Sequence, residues 1–463
     1  MAENRTNPGL AEDLFLDVRR GAGPMHRQIE AALRAGVRSG RLAPGTSLPS
    51  SRTLAADLGV SRGVVVEAYQ QLVAEGYLTS RTGGYTQVAT TTAAAPAPQA
   101  VARDPLPYDF GYGRADVARF PRAAWLRSTR RVLTEAPADR FGYLSGRGMP
   151  ELRDALAAYL NRVRGADVHP DNLVICSGYA QGIALLLQVL AARGARRIAV
   201  EDPSTDDDAR PVAAALGLEV VGIPVDEGGV RVDALVPADA LILTPSHQWP
   251  TGGVLSADRR AAVLRWAAEH DAVVVEDDYD TEYRYDRAAI GAMQGLAPDR
   301  VVYAGSASKT LAPGLRLGWF ALPPHLVDAM AVAKTAADRG APALDQLTFA
   351  DFVARGEFDR HLRRMRPVYR ARRDALLRAL RDQLPSLRPV GVSAGLHLVA
   401  WLPPGISAAD AVAAARSAGV GVGGVGPYRL APSDQQGLIF GYATLNERAI
   451  VEGITALSGT LRR

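Results

Sequence analysis

The chain contains very little cysteine and very little lysine. One cysteine, Cys176, occurs among 463 residues, which excludes an intramolecular disulfide framework and a zinc site built from several cysteines. Lysine occurs at two positions, Lys309 and Lys334, so 51 of the 53 Lys and Arg residues are arginine. Any chemistry that requires a lysine amine therefore has two candidates in this sequence.

Long hydrophobic runs are also missing. The most apolar stretch, around residues 183–192, contains Gln188 and is far shorter than the ~20 residues that span a bilayer. The N-terminal sequence MAENRTNPGLAEDL has no apolar core segment, so we expect no secretory signal. With 48% hydrophobic and 22% charged residues, the composition is typical of a folded globular protein. These features predict a cytoplasmic protein without a membrane partner.

A segment rich in alanine, threonine and proline divides the chain. Residues 89–107 contain four prolines and mainly small side chains, which cannot build a hydrophobic core. We interpret this segment as a linker between a small module at 20–88 and a large module at 108–463. The net charge of the whole chain, +4, is too small to indicate a nucleic-acid partner by itself.

The small module begins with a pattern that predicts two helices. Four apolar residues recur at every fourth position and predict an amphipathic helix over 25–39: Met25, Ile29, Leu33 and Val37. After a loop punctuated by proline and glycine, Ser50 or Ser51 is a suitable N-cap for a short second helix. Gly59 is the residue type that ends such a helix.

A third helix and a hairpin complete the small module. Ser61 is a suitable cap for this helix, and Gly76 is expected to end it. Two helices joined by a tight turn that contains glycine are typical of a helix-turn-helix. The alternating residues on both sides of Gly83 and Gly84 then predict a two-stranded wing.

The sequence PMHRQIEAALRAGVRSGRLAPGTSLPSSRTLAADLGVSRGVVVEAYQQLVAEGYL resembles the winged helix-turn-helix of GntR-type bacterial regulators. The resemblance implies a double-stranded DNA operator as partner, with the third helix in the major groove. It assigns contacts with bases or backbone to six residues: Ser50, Ser51, Arg52, Ser61, Arg62 and Arg81.

Two positions depart from the GntR pattern. Gly63 follows the recognition-helix arginine where many members have a polar residue, and the wing reads RTGGYTQ. Both leave the base specificity open. Residues 1–90 contain 10 Arg and 8 acidic residues, a net charge of +2, so a winged helix that contacts only proteins is the alternative interpretation.

The large module alternates short apolar runs with helical patterns. Five runs are predicted strands: 197–202, 218–225, 240–245, 272–278 and 300–306. Each run is apolar throughout, which is typical of parallel strands covered on both faces. The pattern predicts an α/β fold with a mainly parallel sheet, in which ligands bind at the carboxyl ends of the strands.

Polar residues follow three of these strands. One strand leads into Asp277, Asp278 and Tyr279, another into Ser306 and Lys309, and a third into His247 and Trp249. A lysine amine at such an edge can form a Schiff base with a carbonyl cofactor. A carboxylate can keep the ring nitrogen of pyridoxal phosphate (PLP) protonated, and Ser306 and Arg316 could clamp the phosphate.

Further strings of residues resemble fold-type-I aminotransferases. They are YLSGRGMPELRDALAAYL, VICSGYAQGIALL, TPSHQWPTGGVLS, VVVEDDYDTEYRYD and SASKTLAPGLRLGW. Together with the first module they are most similar to the MocR-type regulators, in which a GntR winged helix is fused to an aminotransferase-like domain. The resemblance covers roughly residues 20–450 and implies a smaller α+β subdomain at the C-terminal end.

The resemblance also implies PLP as the cofactor and assigns its contacts. Lys309 would carry the Schiff base, and Tyr279 would form a hydrogen bond with the ring oxygen. Asp277 would pair with the pyridine nitrogen, with Asp278 as the alternative. The other residues implied to contact the cofactor are Ser306, Arg316, Gly178, Tyr179, Ala180 and His247. Tyr143 would reach the phosphate of a partner subunit, which implies a homodimer.

Three positions depart from the aminotransferase pattern. Thr205 stands where the family has an aromatic residue that stacks on the cofactor ring. Ile439 stands where aminotransferases have an arginine for the substrate carboxylate, and Arg429 is the nearest substitute as an effector-binding residue. These departures make efficient transamination a weaker expectation.

These features are compatible with three functions to different degrees. The preferred one is a DNA-binding transcriptional regulator whose aminotransferase-like domain senses PLP, or a small amine or amino acid that forms a Schiff base with it. The alternative is an active PLP-dependent aminotransferase with a vestigial DNA-binding module. A structural adaptor with neither ligand conflicts with the number of matching residues. No metal site is expected.

Overall fold

The computed structural model describes residues 18–19, 21, 23–80, 85–89, 106–205, 208–285, 290–391 and 394–461. The chain forms two compact units, Met1–Arg103 and Asp104–Arg463. The border between them falls inside the segment predicted as a linker, most of which lies outside the described residues. No helix in the part of the chain that is described is long and apolar enough to cross a membrane.

Three helices and a two-stranded antiparallel sheet form the described part of the first unit. In chain order these elements are Met25–Arg38, Ser51–Leu58, Arg62–Ala74, Leu78–Ser80 and Thr86–Val88. The predicted apolar stripe faces inwards, because Ile29 and Leu33 are fully buried against Leu54, Val65 and Leu72. Leu78 pairs with Val88 across the sheet, on the two sides of the predicted wing turn, whose tip lies outside the described residues.

The second and third helices begin at the predicted cap residues, and the second helix also ends at one. Ser50 is the N-cap of the second helix, and its Oγ accepts a hydrogen bond from the Thr53 amide at 3.1 Å. Gly59 ends that helix with a φ of 62°, a left-handed conformation that glycine adopts without a steric penalty. Ser61 is the N-cap residue of the third helix, as predicted, although its exposed hydroxyl makes no capping hydrogen bond.

The second unit is built around an eight-stranded sheet. Its strands, in spatial order, are Leu173–Cys176, Gly318–Ala321, Val301–Ser306, Val273–Asp278, Ala240–Leu243, Arg197–Asp202, Glu219–Asp226 and Gly229–Val230. The five predicted strands are all present and are parallel to their neighbours among the five. Gly318–Ala321 runs antiparallel to the strands on both of its sides, so the sheet is mixed and mainly parallel.

Helices cover both faces of this sheet. In chain order the helices of the second unit are Arg122–Glu135, Pro150–Arg164, Tyr179–Ala192, Ala209–Ala215, Ala257–Glu269, Pro324–Asp338, Ala343–Ala354, Glu357–Gln383, Ala408–Ser417 and Glu447–Leu461. One core packs Ile183 and Leu186 against Val275 and Phe320. Cys176 is buried in the same core.

A smaller antiparallel sheet follows towards the C-terminus. Its strands, in spatial order, are Arg388–Val390, His397–Trp401, Gly437–Gly441 and Gly423–Gly424. The short strand Val420–Gly421 pairs in parallel with Tyr108–Asp109, which ties the start of the unit to this subdomain. The α/β fold with a smaller α+β part is therefore confirmed.

Candidate cofactor site and DNA-binding surface

A cavity of about 360 Å³ opens at the carboxyl ends of the central strands. Seven residues predicted from the sequence line it: Tyr179, Ala180, Asp277, Tyr279, Ser306, Lys309 and Arg316. The sheet register explains part of this convergence, because Ala304 lies beside Asp277 and Gly305 beside Asp278 in neighbouring parallel strands. Residues that follow these two strands therefore emerge next to each other.

One end of the cavity has the geometry of an anion site. Gly178 precedes the helix Tyr179–Ala192, whose first backbone N–H groups have no partner within the helix. Arg316 donates a hydrogen bond to the carbonyl of Ser177 at 2.6 Å. A Cβ atom at Gly178 would lie 2.8 Å from the Arg316 guanidinium, so glycine leaves the room that lets this cation cover the helix N-terminus. A phosphate fits such a combination.

The lysine and the aspartate are held differently. The Lys309 ammonium donates a hydrogen bond to the carbonyl of Gly113. The Asp277 carboxylate has no hydrogen-bond partner among the described residues. Burial raises the pKa of Asp277 well above its usual range, and Asp208 and Asp278 add to the rise while Lys309 opposes it. A cationic group placed against Asp277 would favour its charged form.

Asp278 is occupied by contacts within the fold. Its carboxylate pairs with the Arg164 guanidinium at 2.7 Å, and both side chains are 1% exposed. It also accepts hydrogen bonds from the hydroxyls of Tyr303, at 2.7 Å, and of Thr281. Asp278 does not line the cavity, so the geometry favours Asp277 for the pyridine nitrogen.

His247 lies behind the cavity wall, and the prediction that it contacts the cofactor needs correction. Its Nδ1 lies 3.0 Å from the Tyr279 hydroxyl and 3.0 Å from an Asp280 oxygen. The same hydroxyl donates to the His247 carbonyl at 2.9 Å. His247 therefore positions Tyr279, while Trp249, two residues further along, lines the cavity.

Arg429 does not reach this cavity. It lines a neighbouring cavity of about 600 Å³ together with Pro203, Thr251 and Trp401, and it donates a 3.4 Å hydrogen bond to the Gln435 carbonyl. Its neighbour Tyr428 lines the cavity that contains Lys309. The backbone leaves a helical turn at Tyr428 and directs the two side chains to different cavities, so the role of Arg429 as an effector-binding residue stays a prediction.

Several cavity-lining residues were not predicted from the sequence. Tyr112, Asp280, His397 and Tyr428 all line the cavity. Asp280 belongs to the acidic run after a predicted strand and could have been included. The other three come from loops and from the small sheet, where no periodic pattern marks a side chain that faces a cavity.

For two predicted site residues, the described structure contains no contact that bears on the predicted role. The Tyr143 side chain is 99% exposed and lies away from this chain's own cavity. Arg81 lies outside the described residues. The role of each remains a prediction.

The other predicted DNA contacts gather at two helix N-termini in the first unit. Arg62, at the start of the third helix, donates a hydrogen bond to the Ser51 hydroxyl of the second helix at 3.4 Å. Arg52, Ser61 and Arg62 are exposed. The turn at Gly59 thus brings the two N-termini together on one surface that presents hydroxyl, amide and guanidinium groups.

Comparison with known proteins gives the family. The model described as bacterial regulatory proteins, gntR family, matches residues 25–88, and aminotransferase class I and II matches residues 110–422. The chain is 34% identical to the probable rhizopine catabolism regulatory protein MocR of Rhizobium meliloti, over 94% of this chain and 93% of that protein. The chain belongs to the MocR-type subfamily of GntR transcriptional regulators.

Other relatives agree with the MocR-type assignment. The pyridoxine biosynthesis transcriptional regulator PdxR of Corynebacterium glutamicum is 32% identical, over 91% of this chain and 92% of that protein. An archaeal alanine:glyoxylate aminotransferase structure superposes with a TM-score of 0.71 and 27% identity, over 77% of this chain and 91% of that one. The fold-type-I architecture and PLP as the cofactor of this MocR-type domain are thereby established.

The residues of this MocR-type chain fit that cofactor. The Asp277 carboxylate, which has no hydrogen-bond partner in the described part of the chain, the Lys309 amine and Arg316 line one cavity. When bound, PLP supplies a carbonyl carbon for an amine and a ring that withdraws electrons when its nitrogen is protonated.

Proposed function

We propose that this chain is a PLP-dependent regulator that binds operator DNA as a homodimer. Its aminotransferase-like unit senses PLP itself, or a small amine or amino acid bound at the cofactor, and so controls operator binding. The observation that carries this proposal is the pairing, in one chain, of a winged helix with an exposed Arg62 and a cavity lined by Lys309, Asp277 and Arg316. Such a regulator acts in the cytoplasm, where the DNA is.

Each lining residue has a proposed task at the cofactor. Lys309 binds the carbonyl carbon through Nζ, and Asp277 keeps the ring nitrogen protonated. Tyr279, held by His247, hydrogen-bonds the ring oxygen. The phosphate is held by the amides of Gly178, Tyr179 and Ala180 with Ser306 and Arg316, and by Tyr143 of a second copy of the chain.

The DNA contacts follow from the surface formed by the two helix N-termini. Arg62 and Ser61, at the start of the third helix, are proposed to enter the major groove. Ser50, Ser51 and Arg52 are proposed to meet a phosphate, because free amides and the helix dipole favour an anion there. Arg81 on the wing is proposed to contact the minor groove or the backbone.

A visible absorption spectrum tests the cofactor part. We expect a yellow band in the parent protein purified with PLP, and no such band in Lys309→Ala. Lys334→Arg is the matched control, because Lys334 is fully buried and paired with Asp338 at 2.6 Å; it should keep the band. Absence of a band in the parent at excess PLP would contradict the cofactor assignment.

A gel-shift assay tests the regulator part. The full chain should bind DNA from upstream of its own coding region, and PLP or an effector should change that affinity. Lys309→Ala should still bind the DNA but should lose the response, since the winged helix is a separate unit. Failure of the parent to bind, with and without PLP, would overturn the proposed function.

An active aminotransferase is the second candidate. The 2-aminoadipate transaminase of Thermus thermophilus is 30% identical over 74% of this chain, and the cavity retains Lys309, Asp277 and Tyr279. Sustained transfer between an amino donor and a keto acid would support this candidate. If a broad amino-acid panel produces no half-reaction, measured as loss of the cofactor band, the candidate is excluded.

A further inference from the structure

We propose that the effector of this chain is a small primary amine that carries no carboxylate group. This inference rests on the proposed function, since it concerns the ligand of the same cavity. It follows from the charges and the aromatic surface along the cavity wall.

The charge of the lining opposes a carboxylate. Three described lining residues are carboxylates, Asp208, Asp277 and Asp280, and the proposed function commits Asp277 to the cofactor, which leaves Asp208 and Asp280 to face an effector. The cationic groups in the described lining are Lys309 and Arg316, and the proposed function commits both to the cofactor. His397 adds no positive charge, because burial lowers its pKa well below the ordinary histidine value, and His247 and Lys309 lower it further.

The two nearest replacements for a carboxylate-binding arginine are not available. Arg429 lines the neighbouring cavity. Ile439, on the strand Gly437–Gly441, is fully buried in an apolar cluster with Trp249 and Val399. A free carboxylate in the effector space would therefore be desolvated beside like charges, with no uncommitted cation among the described lining residues of this cavity, which is costly.

Aromatic rings form the wall of the effector space. The Trp249 ring lies 4.4 Å from His397, 5.1 Å from Tyr112 and 6.0 Å from Tyr428, measured between centroids. Tyr112 is seated over Gly423, where a Cβ atom would collide with its ring. The Tyr112 and Tyr428 hydroxyls hydrogen-bond each other, so the wall is braced at its polar edge. Faces of Trp and Tyr rings attract ammonium groups, with Trp the strongest.

Trp249 also carries a donor that lacks an acceptor. Its Nε1 is buried and has no hydrogen-bond partner among the described residues. A buried donor without a partner lowers stability. The aromatic wall and the carboxylates Asp208 and Asp280 are the groups that the cavity offers to an amine.

Matched ligand pairs test the inference on the PLP-loaded full chain. The pairs are putrescine with ornithine, tyramine with tyrosine, and histamine with histidine; each differs by a carboxylate alone. The readout is the concentration that half-shifts the visible cofactor band, corrected by the same titration of free PLP, and the change in operator affinity. We expect at least one amine to act at a concentration about 10-fold or more below that of its amino acid.

Variants separate the aromatic wall from general reactivity. Trp249→Ala should weaken the amine response about 10-fold, as expected for the loss of one desolvated cation–π contact. Trp249→Phe keeps a ring and should lie between the parent and Trp249→Ala. Trp266→Phe is the control, because Trp266 packs in a core cluster away from this cavity.

The outcomes distinguish this inference from the proposed function. If the parent holds the cofactor and binds DNA but amino acids act as well as their amines, or no pair acts, the inference is overturned and the regulator function stands. If Arg429→Ala selectively weakens an amino-acid response, the inference is likewise overturned. A parent with no cofactor band contradicts the proposed function itself.

Discussion

Asp277 and Asp278 are adjacent in the sequence and have opposite surroundings. Side chains alternate across a strand, so the two carboxylates leave the strand Val273–Asp278 on opposite faces. Asp277 lines the cavity without a hydrogen-bond partner among the described residues, while Asp278 is paired with the buried Arg164. One carboxylate is therefore available to a ligand, and the other stabilises the fold.

Substitution by asparagine should separate these two roles. Asp277→Asn should keep or raise thermal stability at pH 7, because the raised pKa of Asp277 means that its ionisation above about pH 4 opposes folding. It should also release PLP more readily.

The neighbouring substitution should behave in the opposite way. Asp278→Asn should lower the free energy of unfolding by about 3 kcal/mol, because Arg164 would remain buried without its counter-charge. Its cofactor absorption at saturating PLP should be normal while it is folded. Urea denaturation and PLP titration of both variants measure this, and equal loss of PLP in the two would contradict the distinction.

Residue-level prediction from the sequence was limited by which way side chains point. Lys309, Asp277 and Tyr279 could be predicted because each lies at or shortly after the carboxyl end of a strand, where the topology fixes the edge of the sheet. His247 also follows a strand, but the chain turns there and Trp249 takes the cavity position. Tertiary packing determines which of two nearby side chains faces the cavity, and neither the periodicity nor the propensities of the sequence contain that information.

At the scale of elements, the second helix of the first unit depends on its cap. The Ser50 hydroxyl accepts a hydrogen bond from the Thr53 amide at the N-terminus of this helix. The proposed operator phosphate would approach the same N-terminus. One residue thus serves the stability of the unit and its interaction with DNA, and two substitutions can separate these effects.

Ser50→Ala should lower the stability of the winged helix by about 1 kcal/mol, the usual cost of losing a serine cap. Ser50→Asp should keep the cap, since aspartate is an equally good N-cap, but its charge should repel the phosphate and weaken operator binding about 10-fold or more. Thermal unfolding and gel shifts of the full chain measure the two effects. Unchanged DNA affinity in Ser50→Asp would exclude a phosphate at this helix.

The elements themselves were more predictable than the residues. Five apolar runs became five parallel strands, and the winged helix matched its cap and turn signals at nearly every end. The strands Leu173–Cys176 and Gly318–Ala321 were not predicted, because four buried residues give too short a pattern to tell from a helix segment. The small C-terminal sheet was expected from the family resemblance rather than from periodicity.

At the scale of the whole molecule, Tyr143 suggests that one chain is not sufficient. This large ring is 99% exposed within the chain, which is unusual for an aromatic side chain in a folded unit. The proposed homodimer gives it a partner, namely the phosphate site of the second copy.

Complementation between two defective chains tests this arrangement. Tyr143→Phe and Lys309→Ala should each reduce PLP retention when present alone. In a mixed dimer, one site would combine the intact Lys309 of one chain with the intact Tyr143 of the other. We expect the isolated mixed dimer to retain about half of the parent's cofactor absorption, with parental affinity at that site. Retention no better than in Tyr143→Phe homodimers would place Tyr143 outside the cofactor site.

The scarcity of lysine makes this chain selective towards reagents that attack amines. Lys334 is sealed in the core and bound to Asp338, which leaves Lys309 as the one lysine in contact with a cavity. In the folded protein, an acylating or reductively alkylating reagent should therefore modify Lys309 and the terminal amine. A bound cofactor should protect the lysine, so the pattern of modified peptides would report occupancy directly, without any engineered tag.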